Sequence, residues 1–194
     1  MATGGLVVFR WFGANPPLTL GLPEQIAATI GDRIAAGMIA PGARIVEQEI
    51  ADEFETSRGP VREALRILER EKLARIHPRR GARATQLSRQ DVIDLFEIRA
   101  LLYQAVARRL AEARPPEALR MLEDGVRELR RLAVQPDDGA SYSSLVFRLS
   151  LGSARAAGNR LLAETLTSLA LQTHRYTRLG HNARLRRRKS ATMW

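Results

Sequence analysis

The stretch "SRGPVREALRILERE", residues 57–71, has the pattern of a strongly amphipathic helix and its first turn. Ser57 is predicted to be the N-cap, with its hydroxyl accepting from free N–H groups of the first turn. Pro60 falls within that turn, where a fixed φ favours the helix and the missing N–H costs little. The spacing predicts one buried face, made of Val61, Ala64, Leu65 and Leu68.

A second face of this helix is basic. Arg58, Arg62 and Arg66 recur every four residues, so their side chains should project together. Taken alone, such a row is more often a solvated helix face than a binding surface.

The residues before Ser57 predict two more helices. Apolar residues recur at i+4 from Leu22 and stop at Gly37, which marks a helix end. Residues 40–45, "APGARI", are predicted to form a turn because Pro41 and Gly42 favour one. A short helix should then occupy "VEQEIADEFE", residues 46–55, with its apolar side facing inward; that side consists of Ile50, Ala51 and Phe54.

After the helix, the pattern changes to the alternation of a strand. Leu73, Arg75 and His77 alternate with Ala74, Ile76 and Pro78, and "PRRG", residues 78–81, turns the chain into a second short run. The result is a small hairpin with a basic tip. Three helices followed by a hairpin, within about 70 residues, is the order of a winged helix-turn-helix domain, predicted here for residues 20–87.

Residues 88–194 are predicted to form an all-helical domain, so the fold class is mainly α. Ser88 and Asp91 resemble a capping box. The helix that follows has an apolar stripe that ends before Pro115-Pro116; its members are Val92, Leu95, Ile98, Leu102, Val106 and Leu110. Further helices are predicted near 117–134, 141–156 and 160–179, joined by short connections. Residues 1–19 have no sustained period and are predicted to be an N-terminal arm.

The formal net charge of +10 is less informative than its distribution. Residues 1–87 carry 12 basic and 10 acidic side chains, and residues 88–194 carry 19 and 11. Within the first part, residues 44–57 are acidic, whereas residues 58–83 carry nine basic side chains against three acidic ones. The basic stretch favours a nucleic-acid partner. A GC-rich genome explains the near-exclusive use of Arg over Lys equally well.

Composition excludes several classes of protein. The chain has no cysteine, which excludes disulfides, thiolate zinc sites and thiol nucleophiles. It has neither an apolar run of about 20 residues nor a signal-peptide layout, so we expect no membrane partner and a cytoplasmic location. No nucleophile with a base and no carboxylate pair is arranged for catalysis, so we expect neither an enzyme nor a catalytic residue, and no cofactor.

With these motifs in place, the chain resembles the GntR family of bacterial transcription regulators. The most specific match is "PGARIVEQEIADEFETSRGPVREALRILE", residues 41–69, within a dense resemblance over residues 22–87. The helical part is similar to the FCD effector domain, the fatty-acid-regulator-like subgroup, through "DVIDLFEIRALLYQAVARRLAEA" and "SARAAGNRLL". The resemblance implies a homodimeric, metabolite-responsive repressor that binds double-stranded DNA at a short inverted-repeat operator. The effector would be a small molecule, often a carboxylate.

The resemblance also implies which residues contact DNA. Position by position, the family's contacts fall on the start of the recognition helix, on the preceding helix and on the hairpin tip: Arg44, Gln48, Ser57, Arg58, Gly59, Arg62, Arg79, Arg80 and Gly81. Arginine can pair bidentately with guanine, and the remaining basic groups suit phosphates.

The implied effector site departs from the family's pattern. Ser144 and Arg148 stand where many members have an Asp and a His that bind a metal ion, and Tyr103 stands where Glu is usual. We therefore expect no metal. The predicted effector-binding residues are Arg99, Tyr103, Ser144, Arg148 and Asn159. Arg148 could receive a carboxylate directly, or it could form a structural ion pair.

Two other classes of function remain open. The chain could be a non-specific or architectural DNA-binding protein, or a helical interaction protein without effector response.

Three features near the end of the chain are predicted to be structural. His174 and His181 are interpreted as packing or surface residues, and "RLRRRKS", residues 184–190, as a solvated helix rather than a nucleic-acid tail. The family's effector domains continue for two more helices, so the helical domain is expected to be incomplete.

Overall fold

A computed structural model of the chain describes residues 21–136 and 139–194, so the predicted arm at residues 1–19 lies outside the described residues. The described residues divide into two compact units between Asp91 and Val92.

The first unit contains three helices and a small sheet. In chain order, its elements are α1 (Leu22–Ala36), β1 (Arg44–Ile45), α2 (Glu47–Glu53), α3 (Arg58–Arg70), β2 (Ala74–His77) and β3 (Gly81–Ala84). The predicted order of three helices and a hairpin is confirmed. The prediction of a turn for residues 40–45 was wrong at its end, because Arg44 and Ile45 form a strand that pairs antiparallel with β3. Two residues are too few for alternation to be recognised.

The core of this unit lies between α1 and α3. The buried side chains are Ile26, Ile30 and Ile34 from α1 and Val61, Ala64, Leu65 and Leu68 from α3, as the periodicity predicted for α3. Ile50 and Ala51 of α2 are also buried, whereas Phe54 is only half-buried. Arg33 Nη1 donates to Glu53 Oε2 at 2.7 Å and ties α1 to α2. The same hydrogen bond raises the pKa of Arg33 and lowers that of Glu53.

The capping box at the start of the next helix is confirmed. Asp91 N donates to Ser88 Oγ at 3.1 Å, and Ser88 N donates to Asp91 Oδ2 at 2.8 Å. The Ser88 hydroxyl also donates to Asp91 Oδ2, and these bonds lower the pKa of the Asp91 carboxyl. Asp therefore does here what Glu or Gln usually does at this position.

Long helices make up the rest of the described chain: α4 (Arg89–Ala113), α5 (Pro116–Val134), α6 (Gly139–Ala156), α7 (Arg160–His181) and α8 (Arg184–Ala191). Helix α6 packs on both α5 and α7, and α8 packs on α5. One apolar cluster contains Leu129, Leu132, Tyr142, Leu145 and Leu149; another contains Val106, Leu110, Ala118, Ala154 and Leu166. None of the helices in the described part of the chain combines the length and apolarity that crossing a bilayer requires.

Two expectations about burial in these helices were wrong. Ile98, predicted for the apolar stripe of α4, is 47% exposed. Arg187, predicted to lie on a solvated helix, is only 2% exposed and donates to three main-chain carbonyl groups. Periodicity predicts which residues share a helix face, but it does not predict whether another element covers that face, and burial depends on that. His174 and His181 are buried, in agreement with their reading as packing residues.

Candidate functional site

The two leading arginines of α3 are exposed at the start of the helix. Arg58 is the first residue of α3, and Arg62 lies one turn later with 62% of its side chain exposed. Their positions follow from local sequence, because Val61 and Leu65 turn toward the core and direct the arginines to a different face. Arg66, the third member of the row, donates to Glu63 Oε1 at 2.9 Å on the same helix.

The beginning of α3 differs from the prediction in its capping. Ser57 occupies the N-cap position with extended dihedral angles, φ −80° and ψ 167°, but its side chain makes no capping hydrogen bond. A Cβ atom added at Gly59 would meet only Ser57 Oγ, at 3.7 Å, so this side of the turn is open. The N–H groups of the first turn are therefore not engaged by Ser57. Such donors can receive an anion at a helix N-terminus.

Helix α2 holds both arginines by hydrogen bonds. Arg62 Nε donates to Glu47 Oε2 at 2.9 Å, and Arg58 Nε donates to Gln48 Oε1 at 2.7 Å. Gln48 Nε2 in turn donates to Asp52 Oδ1 at 2.6 Å. Gln48, predicted to face DNA, therefore has both ends of its amide engaged by protein side chains. The sequence motif showed these residues next to each other in the chain but not their bonds to α3.

The hairpin tip carries two exposed arginines on a tight turn. Arg80 N donates to His77 O at 3.0 Å and closes the turn. Gly81 has φ +77°, which suits glycine, whereas Arg79 has φ +62°, a conformation that costs a non-glycine residue on the order of 1–3 kcal/mol. The turn places Arg79 and Arg80 at the solvent-exposed end of the hairpin, as predicted.

The sheet adds two arginines, Arg75 and Arg83, that were not among the predicted DNA contacts. In the strand order β1-β3-β2, Arg83 is paired with Arg44 on one side and with Arg75 on the other. All three residues are exposed, and Arg83 Nη1 donates to the carbonyl of Gly42 at 2.9 Å. Like charges directly opposite on a sheet repel each other. We call these three residues the arginine row; an anion bound along it would relieve the repulsion.

The alternation of β3 could have identified Arg83 from the sequence. Gly81–Ala84 reads "GARA", with both alanines buried and Arg83 exposed between them. The pairing with Arg44 could not be read from the sequence, because it depends on the register of strand β1.

A second group of polar side chains lies in the helical unit. Arg99 Nη1 donates to Thr173 Oγ1 at 2.6 Å, and the guanidinium lies 5.3 Å from the ring centre of Phe96 and 5.8 Å from that of Tyr103. Arg99 Nε and Tyr103 Oη are buried and have no hydrogen-bond partner among the described residues. Buried polar atoms are normally satisfied, so these two atoms mark a place where a polar ligand would gain hydrogen bonds.

The buried imidazole of His174 lies among basic side chains that include Arg99. Desolvation is the main cause that lowers the pKa of His174 to about 3, and the charges of Arg178, Arg99 and His181 contribute in the same direction. The neighbouring groups that shift this pKa electrostatically are thus basic residues. An anion is the charge that such surroundings favour.

The other predicted effector residues are not brought into this group. Ser144 is half-buried and Arg148 is exposed. Asn159 is exposed and serves as the N-cap of α7, where its Oδ1 accepts from Leu162 N at 3.0 Å. Ser144 and Arg148 do not supply the carboxylate and imidazole donors that a divalent metal prefers. Across residues 21–136 and 139–194, no three His, Cys, Asp or Glu side chains are grouped to hold a metal ion.

Comparisons with known proteins agree with this architecture. Residues 22–83 match the bacterial regulatory proteins of the gntR family, and residues 94–193 match the FCD domain. The HTH-type transcriptional regulator LutR of Bacillus subtilis is 30% identical over 164 residues, covering 75% of this chain and 74% of LutR. The E. coli McbR/YncC structure matches with a TM-score of 0.72 and 20% identity, covering 90% of this chain and 82% of that one, which is a likeness of fold.

A shorter match is to the gluconate operon transcriptional repressor of Bacillus subtilis, 32% identical over 119 residues and 61% of this chain. The match covers 48% of that repressor, so the chain spans about half the length of this relative. The order of elements, the helix-turn-helix with its basic hairpin and the two family matches lead to one conclusion. The chain belongs to the GntR family of bacterial regulatory proteins, with an FCD domain after its winged helix-turn-helix domain.

Proposed function

We propose that this protein is a sequence-specific DNA-binding transcription repressor that responds to a small-molecule effector. The observation that carries the proposal is the exposed start of α3, where Arg58 and Arg62 are solvent-accessible and first-turn N–H groups are not capped by Ser57. Helix α3 would enter the major groove, where arginine reads guanine through O6 and N7. The similarity to gluconate operon transcriptional repressors supports repression as the regulatory effect.

The hairpin and sheet would contribute contacts that depend less on sequence. Arg79, Arg80 and Gly81 at the tip would reach the minor groove, and the arginine row would neutralise phosphates. Both parts bring positive charge to DNA. They account for affinity and register, whereas α3 accounts for base discrimination.

The protein would act as a homodimer on a short inverted repeat. Helix α4 exposes four large apolar side chains, Ile93, Phe96, Ile98 and Leu101. Exposed apolar side chains concentrated on one helix are typical of an association surface. Two copies joined by α4 would present two recognition helices to two half-sites of one operator.

The effector would bind the helical domain beside Arg99 and Tyr103. The unpartnered Nε and Oη atoms and the basic groups around His174 support an anionic ligand such as a carboxylate. Arg148, which is exposed, is the alternative anchor for the same class of ligand.

Selection of bound duplexes from a random library tests the proposal directly. A regulator should recover one inverted repeat and bind it at least about 10³ times more tightly than random DNA. A non-specific or architectural binder would recover no common site, and its binding would fall steeply with salt for every sequence. A helical interaction protein would retain no duplex.

Point variants then separate the two kinds of contact. Arg62→Ala should weaken binding to the selected site far more than binding to random DNA, and Arg80→Ala should weaken both. Arg66→Ala is the matched control on α3, because Arg66 is also an exposed, paired arginine but lies two turns after the first residue of the helix. Equal losses on both DNAs for Arg62→Ala would contradict base reading by this residue.

A further inference from the structure

The bonds between α2 and α3 use the same atom of each arginine. Arg58 and Arg62 both donate through Nε, to Gln48 and Glu47 respectively. Within the described residues, no hydrogen bond engages Nη1 or Nη2 of either arginine. The protein therefore restrains each guanidinium at its inner nitrogen and leaves the outer two nitrogens available.

The outer nitrogens are a suitable pair for reading a guanine. Bidentate recognition of O6 and N7 requires two parallel N–H donors in a fixed fork. A free arginine side chain has many rotamers and must lose that freedom on binding. An arginine already held at Nε has lost part of it in the free protein, so less is lost in the complex.

The two residues that restrain the arginines, Gln48 and Glu47, differ in their surroundings and in their charge. Gln48 is oriented by Asp52, because donation from Nε2 to Asp52 Oδ1 directs the amide oxygen toward Arg58. Glu47 is the less exposed partner of its pair, at 27% against 62% for Arg62. Its carboxylate also compensates the charge of Arg62, which lowers the attraction of that guanidinium for any phosphate.

We propose that Glu47 and Gln48 are positioning residues that set base specificity by holding Arg62 and Arg58 at Nε. This inference rests on the proposed DNA-binding function and refines it. Gln48 then acts through Arg58 rather than by touching a base itself. Glu47 favours guanine recognition over general phosphate binding.

The test compares Glu47→Ala with Glu49→Ala, an equal change of charge at an exposed position on the same helix. For each variant, dissociation constants are measured for the selected operator and for a random duplex of equal length over a range of salt concentrations. Glu47→Ala should bind random DNA several-fold more tightly and the operator less tightly. The specificity ratio, which is the affinity for the operator divided by the affinity for random DNA, should therefore fall about tenfold. On random DNA, the slope of the logarithm of the binding constant against the logarithm of salt concentration should steepen by about 0.9, the value for one additional phosphate contact.

Three further variants separate a positioning role from a general effect of charge. Glu49→Ala should strengthen binding to both DNAs equally and leave the ratio unchanged. Glu47→Gln keeps an acceptor oxygen and should restore part of the ratio, while Gln48→Ala should lower the ratio without the gain on random DNA. Thermal melts of each variant check that folding is intact.

Three results would overturn the inference. If Glu47→Ala strengthens binding to both DNAs equally, the change is a charge effect alone, and if it weakens binding to both equally, Glu47 has a structural role. If the wild-type protein selects no common site, the positioning role fails together with the proposed function. A selected site with an unchanged ratio in Glu47→Ala removes only the positioning role, so the two failures are distinguishable.

Discussion

Arg187 Nη2 donates to the carbonyl oxygen of Gln135 at 2.8 Å and joins α8 to the residue that ends α5. Arg187 Nη1 donates to the carbonyl oxygens of His181 and Asn182, at 2.8 and 3.1 Å, at the end of α7. The last carbonyls of a helix have no partner within the helix. One guanidinium thus satisfies main-chain groups at the ends of two helices, which makes α8 part of the packed unit.

We expect Arg187→Met to lower the free energy of unfolding by about 2–4 kcal/mol, because three charge-assisted hydrogen bonds to main-chain carbonyl groups at two helix ends are lost. Urea denaturation followed by circular dichroism measures the change. Arg184→Met on the same helix is the control, since Arg184 is exposed and should change stability by less than about 0.5 kcal/mol. Equal midpoints for the two variants would contradict the structural role of Arg187.

Acid should destabilise the helical unit through its buried histidines. The folded state lowers the pKa of His174 from 6.5 to about 3 and that of His181 to about 4, mainly by desolvation. The unfolded chain therefore binds protons more readily between pH 6.5 and these values. Stability is fully present above pH 6.5 and declines as pH falls, by up to about 1.4 kcal/mol per pH unit for each imidazole.

Thermal melts between pH 7 and pH 5 test this dependence. The wild-type midpoint should fall as the pH is lowered, and His174→Gln should fall less steeply because it has no imidazole to protonate. His77→Gln is the control, because His77 is only half-buried in the sheet. An unchanged slope in His174→Gln would show that His174 is not desolvated in the folded protein.

Charge on the exposed face of α4 should prevent dimer formation. Leu101 is 60% exposed, and a charge buried there against a second copy would cost about 3–5 kcal/mol. We expect Leu101→Arg to elute as a monomer in size-exclusion chromatography with light scattering. Leu161→Arg on α7, where the leucine is 66% exposed, should leave the dimer intact. A monomeric wild-type protein would remove the proposal of dimerisation through α4.

Loss of the Arg99 guanidinium should abolish anion binding in the helical domain. Thermal shifts with millimolar gluconate, citrate or sulfate identify an anion that stabilises the wild-type protein. Arg99→Gln should lose that shift, and Arg148→Gln should retain it, because Arg99 Nε is buried without a partner whereas Arg148 is exposed. The opposite pattern would assign the anion to Arg148.

The contacts proposed for base discrimination and those proposed for anion binding are different, and the sequence revealed them to different degrees. Caps and helix faces were predictable, as Ser88 with Asp91 and the buried side of α3 show, because they depend on residues within about one turn of each other. Ser57 was placed correctly at a helix start, but its side chain does not make the capping bond that its type suggests.

The amino-acid sequence by itself determined the order of the helices and of the two hairpin strands, the start of α3 and the exposure of Arg58 and Arg62. Periodicity and capping are local, so they can be read from the chain. Only the tertiary structure decided that Arg62 meets Glu47, 15 residues away, that Arg187 meets Gln135, 52 residues away, and that Arg44 lies opposite Arg83. These contacts depend on how helices pack and on strand register, which no local pattern specifies.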